Sequence, residues 1–168
     1  MATGPRYSVP FKRKREEKTN YRKRLALLKS NKPRLVIRRT NMRIIAQIID
    51  FNPIGDKTVL SVSNKNLKEY GFPSAVNNTT SAYLTGYLLG KLALKNKIKE
   101  AVFDMGLGIS SKGNRLYSAL SGVVGAGLRV PHDAKMFPSN ERLKGAHVKG
   151  FDINIFESVK KKIEEKVK

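Results

Sequence analysis

Cysteine is absent from all 168 residues, which excludes disulfides, thiolate metal sites and cysteine nucleophiles. Histidine occurs twice, as His132 and His147, and neither has a second His or Cys at ligand spacing. His132 follows Pro131 in a turn, where hydrogen bonding is the ordinary expectation. Long hydrophobic runs are also missing. The longest, Tyr83–Leu94, is interrupted by Lys91 and falls short of the ~20 residues that span a bilayer. The first apolar residues sit among Pro5, Pro10 and a basic run, so no signal peptide is visible and a soluble cytoplasmic protein is expected. There is no internal repeat and no low-complexity tract.

Acids are scarce. Against 13 Asp and Glu stand 34 Lys and Arg, a net charge of +21. Self-repulsion at that charge opposes compaction, so an anionic partner is expected, nucleic acid first and an acidic membrane second. Residues 1–43 hold 15 of the basic residues and only two acids, Glu16 and Glu17, in the manner of a basic arm. Hydrophobic residues still make up 40%, enough for a packed core and too many for a wholly disordered basic tail.

Periodicity divides the chain into an arm (1–32), a core (33–130) and an extension (131–168). Met1–Phe11, with Gly4, Pro5 and Pro10, reads as extended. After the Lys12–Arg15 run, Tyr21, Leu25 and Leu28 recur at helical spacing from about Thr19, and Ser30–Pro33 stops the helix. Arg34–Thr40 and Arg43–Asp50 are rich in Val and Ile and form an expected hairpin, with Thr58–Ser63 as a third strand. Phe51–Asp56 carries turn signals, and Asn64–Ser74 is polar and ends in Gly71-Phe72-Pro73.

A helix is expected from Asn78, Thr79 or Thr80, any of which could cap it, to about Asn96. Ala82, Gly86, Leu89 and Ala93 share a face, and Gly86 and Gly90 would let the backbone pack closely on a sheet. Glu100–Met105 is a fourth strand, Gly106–Asn114 a Gly/Ser loop and Arg115–Leu128 a second core helix. Gly127 belongs either to that helix's buried stripe or to its C-terminal cap. The result is an α/β core of order β-β-β-α-β-α. Pro131, Pro138, Gly145 and Gly150 break up the extension, which holds a short helix near Asn140–Lys144 and a terminal amphipathic helix with Phe156, Val159, Ile163 and Val167 on one face. That last helix is basic enough to lie on a membrane, but Glu157, Glu164 and Glu165 favour a protein-facing role.

Arg6, Lys12, Arg13, Lys14, Arg15, Arg22, Lys23 and Arg24 of the arm could each neutralise a phosphate, and Tyr7, Phe11 and Tyr21 could stack on unpaired bases. Tyr21 could equally be core. Lys32, Arg34, Arg38, Arg39 and Arg43 continue the charge into the hairpin with no acid among them. Gly108 and Gly113 are spaced like the ends of a P-loop, but Asn114 and Arg115 follow where the lysine and hydroxyl of that motif belong, and Ser111 replaces the third glycine of a dinucleotide fingerprint. A backbone phosphate contact helped by Lys112, Asn114 and Arg115 is the remaining option there. Asp50 and Asp104 end strands and could hold a metal for phosphodiester cleavage, but the helix over 78–96 has no acid to complete the set, so loop-forming or capping roles are expected.

The chain resembles the universal large-subunit ribosomal protein family that binds 5S ribosomal RNA, the eighteenth in the usual large-subunit naming, in its archaeal form. The matching segments are Ala2–Tyr7, the basic arm through Tyr21–Lys29, Lys32–Val36, and Pro73 to Gly86 with Ser81–Gly86. They continue with Glu100–Val102, Asp104, Gly106 and Leu107, then Gly125–His132 and Arg142–His147. The resemblance implies a core similar to the ribonuclease H fold without nuclease chemistry and without a cofactor. It implies binding to 5S ribosomal RNA, contact with the large-subunit ribosomal RNA and a place in the central protuberance. The implied protein neighbours are other large-subunit proteins, including the second universal 5S-binding protein, the fifth of the large subunit. It also places the arm and hairpin arginines, with Tyr7 and Tyr83, near RNA, and identifies 131–168 as an archaeal feature.

Overall fold

A computed structural model describes residues 4–72, 77–148 and 153–167. Ala2 and Thr3 of the opening match, the Pro73 and Ser74 turn positions and the Gly150 break lie outside the described residues.

The Val/Ile runs form β1 (Arg34–Arg39) and β2 (Ile44–Asp50), paired antiparallel with Leu35 opposite Ile48 and Ile37 opposite Ala46. Arg43 and Thr40 close the hairpin through a backbone bond of 2.8 Å. β3 (Lys57–Ser63) continues the meander with Val62 opposite Ala46. Because side chains alternate across a sheet, Leu35, Ile37, Ile44, Ala46, Ile48 and Val62 fall on one face, and all are buried. Asn64–Tyr70, within the polar segment, forms a short 3₁₀ helix closed by Gly71 at φ +84°.

The Lys12–Arg15 run, expected only as a charged stretch, winds into the single turn α1, and Tyr21–Leu28 forms α2. Neither helix buries a residue, and Leu25 is 60% exposed. The apolar spacing that marked α2 therefore does not mark a core face.

α3 spans Thr79–Lys95, and of its candidate caps Asn78 takes the role. Its side chain accepts from the Ser81 amide at 2.7 Å, while its own amide donates to Ser81 Oγ. β4 (Val102–Asp104) pairs parallel with β1, which makes the strand order β3-β2-β1-β4. α4 spans Arg115–Gly125, and Gly127 at φ +106° lies just past its end, so termination is the correct one of its two readings. An antiparallel meander with the fourth strand parallel to the first, covered by helices, is a mixed α/β core consistent with the ribonuclease-H-like arrangement.

α3 is buried along most of its length, because the sheet, α4 and the last helix all pack on it. That explains its lack of acids, since an unpaired buried carboxylate is costly. Gly86 and Gly90 do permit close approach, but against α4 rather than the sheet. Their neighbours are Ala119, Val123 and Ala126.

The extension adds a 3₁₀ turn (Ala134–Met136), then α5 (Asn140–Lys144) and α6 (Ile153–Val167). α6 buries Phe156, Val159, Ile163 and Val167, the face expected from their spacing. It docks on α3 and on the 3₁₀ helix after β3, with the Phe156 ring 5.4 Å from that of Tyr83.

Candidate nucleic-acid interface

Parallel pairing sends β1 and β4 the same way, β4 ending at Asp104 beside Val36 and β1 running on to Arg39, and open α/β sheets bind ligands beyond such C-terminal ends. β1 turns Leu35 and Ile37 toward the helices, leaving Arg34, Val36 and Arg38 on the opposite face. The arm lies over that second face. Arg13, Lys18, Lys23 and Arg24 of the arm, with Arg34 and Arg38, line a cleft of about 340 Å³. Arg13, Lys18 and Arg38 also line a neighbouring cleft, where Arg39 joins them beside Met105, Leu107 and Ile109. Arg39 in turn reaches a third recess with Lys112, Arg115, Arg142 and His147. Shared side chains thus link the three hollows into one basic groove. It crosses the arm, the end of β1, the loop after β4 and the start of α4.

The arm is tied to the sheet by charge rather than by apolar burial. Asp56 accepts from Arg24 at 2.9 Å and, through its other oxygen, from Arg34. Arg34 also donates to Asp104 at 2.9 Å, and Asp104 accepts the Gly106 amide at 2.8 Å. The Arg34 side chain is only 7% exposed. Expected from sequence as a contact for RNA, it lines the first cleft while bonding two carboxylates. The same pairing occupies Asp104, and among the described residues no group of three or more His, Cys, Asp or Glu could hold a metal.

Arg6, Lys12, Arg13, Lys14, Arg15, Arg22, Arg38, Arg39, Arg43 and Lys112 are exposed. Tyr7 is 47% exposed, and Tyr21 is half-buried with its ring 5.5 Å from that of Phe11, which is itself 73% exposed. Asn114 and Arg115 organise the protein as well as bordering the groove. Asn114 caps α4 by accepting from the Leu116 amide and donates to the Ile109 carbonyl, and Arg115 donates to the Asn77 carbonyl at 2.7 Å. Burial, and the nearby Arg39 guanidinium, lower the Arg115 pKa. Tyr83 stands apart, lining none of the three hollows. It packs against Tyr87 and Phe156, and burial raises its pKa. Lys32 is paired with Glu100 and so contributes little free charge.

Sequence reasoning overlooked Lys18, Arg142 and His147. Lys18 is a single charge after two acids, with no local signal. Arg142 and His147 bound a stretch that carried the family resemblance, but their place beside Arg39 depends on the fold.

Residues 5–101 match the family model described as "Ribosomal large subunit proteins 60S L5, and 50S L18". The chain is 45% identical over 167 residues to a large ribosomal subunit protein uL18 from Methanothrix thermoacetophila, covering 97% of this chain and 99% of that one. It is 49% identical over 151 residues to uL18 of Korarchaeum cryptofilum, covering 90% and 77% respectively. With uL18 of Natronomonas pharaonis the identity is 47% over 148 residues, 88% of this chain and 80% of the relative. A basic groove on an α/β core and end-to-end similarity to archaeal relatives lead to one assignment: the chain belongs to the uL18 family of large ribosomal subunit proteins.

Proposed function

We propose that this protein is a structural, non-enzymatic constituent of the large subunit of the cytoplasmic ribosome. In this reading it binds 5S ribosomal RNA and attaches it to the large-subunit RNA in the central protuberance, beside the other universal 5S-binding protein. The observation that carries the reading is the continuous basic groove from α1 to the α4 start. Its charges come from separate segments, some on the core and some on the arm tethered to it, so the fold sets the pattern they present to a folded polyanion. Phosphate contacts supply most of the affinity, and the shape of the RNA with a few base contacts selects the site. Exposed Tyr7 and Phe11 supply stacking surfaces on the arm.

The three sequence segments then take three parts. Residues 1–32 follow the RNA, 33–130 hold the arm and hairpin in place, and 131–168 form an extension whose last helix docks back on α3. In vitro assembly of large subunits from purified components tests the proposal. Particles assembled without this protein are expected to lack 5S RNA while keeping most other components. Full 5S RNA occupancy in its absence would refute the attachment role.

A further inference from the structure

Four positive side chains line one recess at the junction of core and extension, and the nearest acid, Glu141, lies in the adjoining hollow with Arg142 and His147. Arg39 comes from the end of β1, Lys112 and Arg115 from the entry to α4, and Arg142 from α5. They surround an open recess of about 460 Å³ that carries no Asp or Glu, and His147 completes the wall. Among the described residues none of these four cations enters an ion pair, whereas Lys12, Lys18, Arg24, Lys32, Arg34, Arg129 and Lys144 all do. Arg115 is held there by its bond to the Asn77 carbonyl, so it cannot simply swing away from Arg39. Like charges gathered and partly fixed without a counter-charge repel one another, unless an anion sits among them. The recess also receives the first turns of both α3 and α4, whose dipoles add to the positive potential.

We propose that Arg39, Lys112, Arg115 and Arg142, with His147, form a phosphate-binding recess that seats the RNA backbone where the extension meets the core. The proposal rests on the RNA-binding reading above and adds the extension to the binding surface. The ligand is a phosphodiester of a polymer rather than free phosphate. The recess is open to solvent and shares Arg39 with the adjoining cleft, so its occupant continues into the groove.

The test uses the full chain and 5S RNA, with Arg142→Ala, Lys112→Ala and Lys161→Ala compared. Lys161 lies exposed on α6 and lines none of the three hollows, so its loss matches the charge change without touching the recess. Arg142→Ala and Lys112→Ala should each weaken binding roughly tenfold near 0.1 M salt and lower the salt slope by about 1. Lys161→Ala should stay within about twofold. An Arg142→Ala protein that behaves like Lys161→Ala overturns the recess. If wild type shows no preference for 5S RNA over transfer RNA but Arg142→Ala still weakens both, the 5S assignment falls and the recess stands. Millimolar inorganic phosphate at constant ionic strength should leave RNA affinity unchanged; competition by phosphate would make this a free-anion site and overturn the polymer assignment.

Discussion

At Gly86 a methyl group would lie 1.9 Å from the Ala119 carbonyl oxygen, and at Gly122 it would lie 2.1 Å from that of Tyr83. Both contacts are with backbone, which cannot rotate aside, so α3 and α4 would have to separate. Gly86→Ala should therefore cost about 3 kcal/mol or more in urea unfolding. A loss below about 1 kcal/mol would mean that the helices do not cross this closely. That glycines would mediate close packing is legible in the sequence; which partner they meet is not, because spacing along one helix says nothing about the element opposite. The same limit applies to charge. Asp104 reads as a loop-forming residue and does accept from Gly106, but its ion pair joins it to Arg34, 70 positions away. In the sequence Arg34 is one more cation in a basic hairpin; only the fold sets two carboxylates against it.

Among the elements, the long ones are readable from sequence, and of the short ones α5 and, within a longer expected run, β4 are too. β1, β2, β3, α3, α4 and the buried face of α6 follow from Val/Ile runs and helical spacing that bury side chains. The single turn α1 and the two 3₁₀ segments lack that signal, because few residues take part. α2 has its position set by Asp56, which receives both Arg24 and Arg34. Removing an acid beside a phosphate-binding face should raise RNA affinity on charge alone. The tether reverses the sign: Asp56→Asn should lower affinity roughly fivefold, because a smaller fraction of molecules holds the arm over the sheet. Asp56→Glu should recover part of the loss, and a gain in affinity for Asp56→Asn would contradict the tether.

The Tyr87 hydroxyl donates to Glu164, and burial followed by that bond raises its pKa above the ordinary 10.0. A phenol whose pKa is higher in the folded than in the unfolded state gives stability that is complete below the unfolded value and is lost as pH rises past it. Opening of α6, followed by limited proteolysis, should increase as pH is raised through 10. In Tyr87→Phe that particular alkaline increment should be missing, since lysine titration remains but the phenol is gone. An identical rise in both proteins would remove Tyr87 as its source.

For the whole molecule, the net charge of +21 alone calls for an anionic partner. What composition does not contain is the gathering of those charges. The parallel pairing of β1 and β4 and the docking of the arm turn scattered basic residues into one groove, and the folded extension adds Arg142 to its far end. The most direct measurement is equilibrium binding to 5S RNA and to transfer RNA from 0.05 to about 0.5 M salt, where phosphate-led complexes weaken steeply. Both affinities should fall with salt while a strong preference for 5S RNA persists to the upper end. Equal affinities lost together would contradict it and leave a nonspecific basic RNA binder.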